Sequence, residues 1–145
     1  MTIYEEQRDL FTVPQGYYLA HCISADFALG AGIAKKFDEV YNMKFKLFKN
    51  YDDNYDNFEF DGGEALLIDN VFNLVTKPQC YNKPTYDTLR EALEAMRTQM
   101  EYLDITKLAM PKIGCGLDRL QWDKVYDIIC DVFKDTDVDI LICEL

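Results

Sequence analysis

Two glycine pairs carry the first chemical signal. In the run Leu108 to Trp122, which reads Leu-Ala-Met-Pro-Lys-Ile-Gly-Cys-Gly-Leu-Asp-Arg-Leu-Gln-Trp, Gly114 and Gly116 interrupt a strand-like segment just before a helix-like one. Glycine adopts backbone conformations that a β-carbon forbids, so consecutive amides in such a turn can point at one anion, and a diphosphate fits that chemistry. The next helix adds the positive end of its dipole, with Asp118 at the rim. A second Gly-x-Gly turn, Gly30-Ala31-Gly32, opens another helix-like stretch. Either loop alone is equally compatible with a tight structural turn. Cys115 lies between two of the glycines, but the motif holds no histidine to activate it, so it reads as a small loop residue. His21 is the single histidine, flanked by Ala20 and Cys22 in an apolar run. It reads as a core or supporting histidine, and its solitude excludes paired-histidine metal sites.

The elements that must position these loops follow from periodicity. Met1 to Tyr4 and Tyr17 to Ile23 read as strands, the first amphipathic and the second continuously apolar, with Pro14-Gln15-Gly16 as the turn between them. Lys35 to Lys46 has Phe37, Val40, Tyr41 and Phe45 at helical spacing. Glu64 to Asp69 and Val71 to Thr76 read as an antiparallel pair hinged at Asp69-Asn70. Leu89, Ala92, Leu93, Met96, Met100 and Leu103 mark a helix that starts near Pro84-Thr85 with Asp87 in its first turn. Ile105 to Met110 is then a strand, Gln121 to Phe133 a helix burying Trp122, Val125, Ile129 and Val132, and Val138 to Cys143 a last strand. Strands alternating with helices predict a three-layer α/β/α sandwich around a mixed sheet of about six strands. In such folds ligands lie across strand ends, where the two glycine loops would face each other over one pocket.

Composition narrows the class. The chain has 145 residues, 49% of them hydrophobic, enough for one domain with a substantial core. It contains no membrane-length apolar run, and Met1 to Asp9 lacks the order of a signal peptide, so the expectation is a soluble, intracellular, cytoplasmic protein. Five scattered cysteines with no C-x-x-C pair argue against a disulfide framework or a zinc site. The formal net charge of -11 disfavours free association with bulk nucleic acid or an anionic membrane. Asn50 to Gly63, rich in Asp, Asn, Tyr and Phe, reads as a solvated loop or short hairpin ending in a turn at Asp61-Gly62-Gly63.

His21-Cys22-Ile23-Ser24, Gly30-Ala31-Gly32-Ile33-Ala34, Thr76-Lys77, Lys83-Pro84-Thr85-Tyr86 and the run from Pro111 to Trp122 occur in an order that resembles macrodomains of the terminal ADP-ribose protein glycohydrolase type. The resemblance runs from about Asp9 to Leu145 and implies a single macrodomain, 1–145, that binds ADP-ribose. It assigns Asp9 to the exocyclic amine of adenine, with the backbone amide of Leu10 beside it, although Arg8 replaces the family's usual glycine. It assigns Ser24 to a ligand contact, and Leu145 to the neighbourhood of the adenine. Gly30, Ala31, Gly32 and Ile33 would form one phosphate and ribose loop. Lys112, Ile113, Gly114, Cys115, Gly116 and Leu117 would form the other. Lys77 matches the family's nucleophilic lysine and Asp118 its acid/base aspartate. An amine attacking an anomeric carbon forms a reversible imine once its lone pair is free, while a carboxylate moves the protons.

The implied activity is removal of mono-ADP-ribose from acidic side chains, with deacetylation of O-acetyl-ADP-ribose or release from nucleobases as related reactions. Neither metal nor cofactor is implied. The implied partners are ADP-ribose, ADP-ribosylated proteins and ADP-ribosylated nucleic acid, for a monomer acting away from membranes. A non-hydrolytic ADP-ribose binding module and an ADP-ribose 1″-phosphate phosphatase are the alternatives. Structural readings of the same residues also stand at this point. Lys77 can be a strand-end lysine reaching solvent, and Asp118 with Gln121 has the spacing of a capping-box variant.

Overall fold

A computed structural model describes residues 1–51 and 60–145 of the chain. The loop or hairpin expected over Asn50 to Gly63 therefore falls mainly on residues 52–59, outside the described residues. The elements run β1 (Thr2–Gln7), a one-turn 3-10 helix (Leu10–Thr12), β2 (Tyr18–Ser24), α1 (Gly32–Tyr41), α2 (Met43–Tyr51), β3 (Glu64–Ile68), β4 (Val71–Lys77), α3 (Tyr86–Tyr102), β5 (Lys107–Met110), α4 (Trp122–Phe133) and β6 (Asp139–Glu144).

The strands form one six-stranded sheet in the order β1-β6-β5-β2-β4-β3. Only β3 pairs antiparallel, with β4, through the hinge at Asp69 and Asn70. All other neighbours are parallel, so Gln7, Ser24, Lys77, Met110 and Glu144 finish along a single edge. Side chains alternate across the sheet, as a two-fold strand period requires. Ala20, Phe72, Leu74, Leu108, Met110, Ile140 and Ile142 pack under α3 and α4. Leu19, Ile23, Val71, Val75, Ala109, Leu141 and Cys143 pack on the other face, with Phe37 of α1 and Met43 and Leu47 of α2. This is the three-layer sandwich with a mixed six-stranded sheet that the sequence predicts.

Several boundaries differ from the sequence expectation, each for a physical reason. The helix predicted over Lys35 to Lys46 is two helices. Asn42 takes a left-handed φ of 54°, and its amide donates to the Asp38 carbonyl at 2.9 Å. Asp38 Oδ1 then accepts the Lys44 amide at 2.8 Å and so opens α2. Asparagine tolerates this conformation better than most residues, which makes it a stop signal that apolar spacing cannot reveal. Strand β1 continues past Tyr4 to Gln7 because its backbone pairs with β6 as far as Glu144, although Glu5, Glu6 and Gln7 are exposed. Strand β5 starts at Lys107, since the Ile105 amide is taken by the Met100 carbonyl at 2.8 Å in the turn that ends α3. Trp122 is only half-buried, and its indole N–H donates to Glu5 Oε1 at 3.2 Å. Helix α3 matches expectation most closely. Leu89, Ala92, Leu93, Met96 and Met100 are its buried residues, and a capping box between Thr85 and Thr88 starts it.

Among the described residues no helix is long and apolar enough to cross a membrane.

Candidate active site

Lys77 is the last residue of β4, beside Ser24 at the end of β2, where a register shift between Ile23 and Ser24 interrupts the pairing. Asp118 sits 41 residues further on, in the loop after β5, yet Lys77 Nζ and Asp118 Oδ1 are 2.7 Å apart. The side chains are 13% and 20% exposed, so the pair is largely withdrawn from water but still reachable. Among the described residues this is the ion pair with the least exposed partners.

The loop that delivers Asp118 depends on one glycine. Gly114 has φ +72°, and a β-carbon there would come within 2.7 Å of Leu120 Cδ1. The Leu120 amide turns back to the Gly114 carbonyl at 2.7 Å, and Arg119 adopts φ 61°. This turn places Asp118 away from the start of α4. The capping box suggested by Asp118 and Gln121 does not form: Gln121 is the N-cap, with no side-chain hydrogen bond to the helix. Its own amide goes to the Tyr86 hydroxyl at 3.0 Å. The carboxylate is thus committed to Lys77, and spacing alone could not distinguish the two partners.

The second loop meets the first at Gly32, whose added β-carbon would lie 3.6 Å from Leu117 Cδ1. Gly32 has φ +58° and begins α1, while its N-cap, Ala31, offers no side-chain hydrogen bond. The first amides of α1 are therefore without a side-chain cap beside the Asp118 loop, an arrangement suited to an anion. Gly30 and Gly116 depart from the reading of the glycines as conformational necessities. Neither has a left-handed φ, and a β-carbon on Gly116 would meet nothing within 4 Å. What Gly116 contributes is open space over the loop.

Neighbouring titratable groups are tuned against a competing role. Burial pushes the Cys22 thiol up to about 12, and the negative charge of Asp118 adds to that shift. Burial also raises Cys115, against a smaller opposing effect of Lys112. Both stay as thiols, so neither is an activated nucleophile. His21 is fully buried, and burial lowers it to about 4 despite a hydrogen bond to Asn73. Its ring stacks on Phe37 with centroids 3.9 Å apart, and Nε2 lies 2.6 Å from Asn73 Oδ1. Among the described residues Nδ1 has no hydrogen-bond partner, and His21 is a neutral core residue that ties β2 and β4 to α1.

The remaining sequence-selected residues separate into two groups. At the β1 and β6 ends, the Arg8 amide donates to the Glu144 carbonyl at 3.0 Å, which brings Asp9 and Leu145 to one corner. Asp9 Oδ1 accepts the Phe11 amide at 3.0 Å, Leu10 is buried, and Leu145 is exposed. In the Asp118 loop, Ile113 is a core residue and Leu117 is exposed, as is Ile33 on α1. Lys112 turns away from Lys77: its ammonium pairs with Glu144 Oε2 at 2.7 Å and lies 5.6 Å from the Trp122 ring centroid. A cavity of about 140 Å³ bounded by Glu5, Glu6, Gln7, Lys112, Ile142 and Glu144 shares only Lys112 with the loop and includes neither Lys77 nor Asp118. Among the described residues, no group of three or more His, Cys, Asp or Glu side chains could hold a metal ion.

One residue at the site escaped the sequence reading. Asp26 accepts hydrogen bonds from the Ser24 hydroxyl at 2.5 Å, the Ala28 amide at 3.2 Å and the Cys80 amide at 2.9 Å. Only the Ser24-x-Asp26 spacing hinted at a local side-chain turn. The partner beyond it, Cys80, is 54 residues away.

No protein-family profile matches the chain. The ADP-ribose glycohydrolase OARD1 of Bos taurus is 40% identical over 141 residues, which span 94% of this chain and 88% of the relative. The macrodomain of Mycobacterium tuberculosis DarG superposes with a TM-score of 0.84 at 20% identity, covering 99% of this chain and 98% of that one. Thermosipho africanus DarTG, solved in complex with ADP-ribose, superposes with a TM-score of 0.76 at 18% identity over 99% of this chain and 42% of its own.

Proposed function

This chain belongs to the macrodomain family, and on that premise we propose that it is an ADP-ribosyl hydrolase that removes mono-ADP-ribose from acidic side chains. Lys77 is the nucleophile and Asp118 the general acid and base. The observation that carries this reading is the 2.7 Å contact between Lys77 Nζ and Asp118 Oδ1, made at the edge where the parallel strands finish. The name of the bovine relative and the ADP-ribose bound to the Thermosipho protein support the choice of ligand.

The chemistry follows from that contact. Asp118 accepts a proton from the Lys77 ammonium, and the neutral amine attacks the anomeric carbon of the distal ribose. An N–C bond forms as the bond from that carbon to the substrate's carboxylate oxygen breaks. The attached nitrogen releases a proton to the departing carboxylate, the ring opens to a protonated imine, and the ring oxygen receives the proton held by Asp118. Water then adds to the imine carbon, the N–C bond breaks, and ADP-ribose leaves with Lys77 restored. The diphosphate sits over the uncapped amides of α1 and the loop from Lys112 to Leu117. Ser24 and the loop Gly30 to Ile33 line the ribose, and Asp9, Leu10 and Leu145 lie toward the adenine. Release from a nucleobase would break a bond at the same anomeric carbon but to a different leaving atom, and deacetylation of O-acetyl-ADP-ribose would break an acetyl ester bond instead; both are further substrates of this reading.

The test is release of ADP-ribose from glutamyl, seryl and thymidine conjugates and from the 1″-phosphate, by the unaltered protein and by two variants. Lys77→Ala is expected to lose on the order of 10³-fold in kcat, and Asp118→Ala roughly 10² to 10⁴-fold. Borohydride should trap an adduct on Lys77. Retained turnover in Lys77→Ala overturns the imine route. Tight ADP-ribose binding without turnover of any conjugate identifies a binding module instead, and turnover of the 1″-phosphate alone identifies a phosphatase.

A further inference from the structure

Asp26 stands between the two halves of the site. It lies in the loop from β2 to α1, and its two carboxylate oxygens face different directions. Oδ1 receives the Ser24 hydroxyl and the Ala28 amide, both within its own loop. Oδ2 receives the Cys80 amide, in the segment that follows Lys77. A second link runs nearby, from the Ala25 amide to the Lys77 carbonyl at 2.9 Å. The carboxylate therefore joins the loop leading into α1 to the loop leaving the nucleophile.

The backbone around Asp26 shows what that join holds in place. Phe27 and Leu29 both have left-handed φ values, 53° and 42°, in residues with no glycine-like freedom. Such a conformation is strained in a residue with a β-carbon and persists only where neighbours over-determine it. Burial of the Phe27 and Leu29 side chains supplies part of that constraint, and Asp26 supplies the polar part. Burial works against its charge, but the bonds from Ser24, Cys80 and Ala28 outweigh it and hold the carboxyl below its ordinary value. Because the ionised carboxylate only accepts, the Ser24 proton is committed to Asp26. Ser24 consequently offers lone pairs, and no proton, to whatever lies beside Lys77.

We propose that Asp26 is a positioning residue for the reaction: it locks the α1 loop to the segment after Lys77 and orients Ser24 as a hydrogen-bond acceptor, which keeps Lys77 aimed at the anomeric carbon. This rests on the reading of Lys77 and Asp118 given above. Asp26 itself touches no reacting atom. Helix α1 keeps its place through Phe37 in the core, so the loss on removing Asp26 falls on turnover more than on affinity.

The experiment compares the unaltered protein with Asp26→Ala and Asp26→Asn in three measurements. These are kcat and KM on an ADP-ribosylated glutamyl peptide, calorimetric Kd for ADP-ribose, and amide hydrogen exchange at Ala28 and Cys80. Asp26→Ala is expected to lose about tenfold or more in kcat with KM and Kd changed about threefold or less, and to exchange faster at both amides. Asp26→Asn keeps one acceptor oxygen and should fall between the two proteins, which also serves if the alanine variant fails to fold. Unchanged kcat with unchanged exchange overturns the proposal. So does a parallel loss of thermal stability, kcat and affinity in Asp26→Asn, the signature of a purely structural role. If the unaltered protein turns over no conjugate, the hydrolase reading fails by itself. Exchange and Kd then decide the loop lock: retained protection at Cys80 overturns it.

Discussion

Helices α1 and α3 begin at the same edge of the sheet, but they start in opposite ways. At α3 the Thr85 hydroxyl accepts the Thr88 amide at 3.0 Å, and the Thr88 hydroxyl accepts the Thr85 amide at 3.1 Å. The chain satisfies its own first turn there. At α1 the N-cap is Ala31, which has nothing to give, and its next residue is a glycine with a left-handed φ. Their buried faces differ as well: α3 buries Leu89, Ala92, Leu93, Met96 and Met100, whereas α1 buries Phe37 alone. Helix α3 caps itself, whereas α1 leaves its first amides without a side-chain cap near the loop that carries Asp118. Under the proposed hydrolase reading, the difference separates a structural helix start from one that meets the ligand.

The largest expected effect bears on how α1 is held. With no side-chain cap at its N-terminus, α1 is anchored by Phe37 stacked on His21, and that histidine resists protonation. Its folded value of about 4 lies below the ordinary 6.5. As pH falls from 6.5 toward 4, the unfolded chain gains a proton that the folded chain refuses, so stability drops by about 1.4 kcal/mol per unit, roughly 3 kcal/mol across the window. Chemical denaturation at stepped pH should show this slope, and His21→Leu should flatten it between those limits. An unchanged slope in the variant would detach His21 from the acid sensitivity of this layer.

A smaller effect probes the exposed amides directly. Ala31→Asp supplies the missing cap and a negative charge where the diphosphate is expected. Thermal stability should hold or rise while the Kd for ADP-ribose weakens by about tenfold. Unchanged affinity would mean that the α1 start does not meet the ligand's charge. The smallest effect belongs to the other helix. Thr85→Ala should cost about 1 kcal/mol in denaturant titration and leave ADP-ribose affinity unchanged. A loss of affinity there would erase the distinction between the two starts.

These helix starts also mark what the sequence could reveal. Thr85 with the apolar row from Leu89 to Met100 was legible because capping and periodicity are local signals. The strands and the three layers were legible for the same reason. The facing of the two glycine loops across the strand ends followed from element order, whereas Lys77 was singled out only by the macrodomain resemblance. Asp118 was ambiguous: its spacing to Gln121 fits a cap, and only the turn at Gly114 sends it to Lys77 instead. The break at Asn42 was hidden because its flanking residues continue the helical spacing. Asp26 was hidden more deeply, since its partner Cys80 is distant in sequence and backbone amides carry no sequence signature.

The sheet itself ends at β1 on one side and β3 on the other. A terminal strand displays backbone groups that could template a second molecule. On β1 the exposed residues Glu5 and Glu6 stand near that border. They point to opposite faces of the sheet, Glu5 toward Trp122 and Glu6 toward Arg8 at 3.0 Å, so each face of the border carries an acidic side chain that discourages edge-to-edge pairing. The same acidic charge that sets this chain's isoelectric character thus also gives its open border a measure of colloidal self-protection.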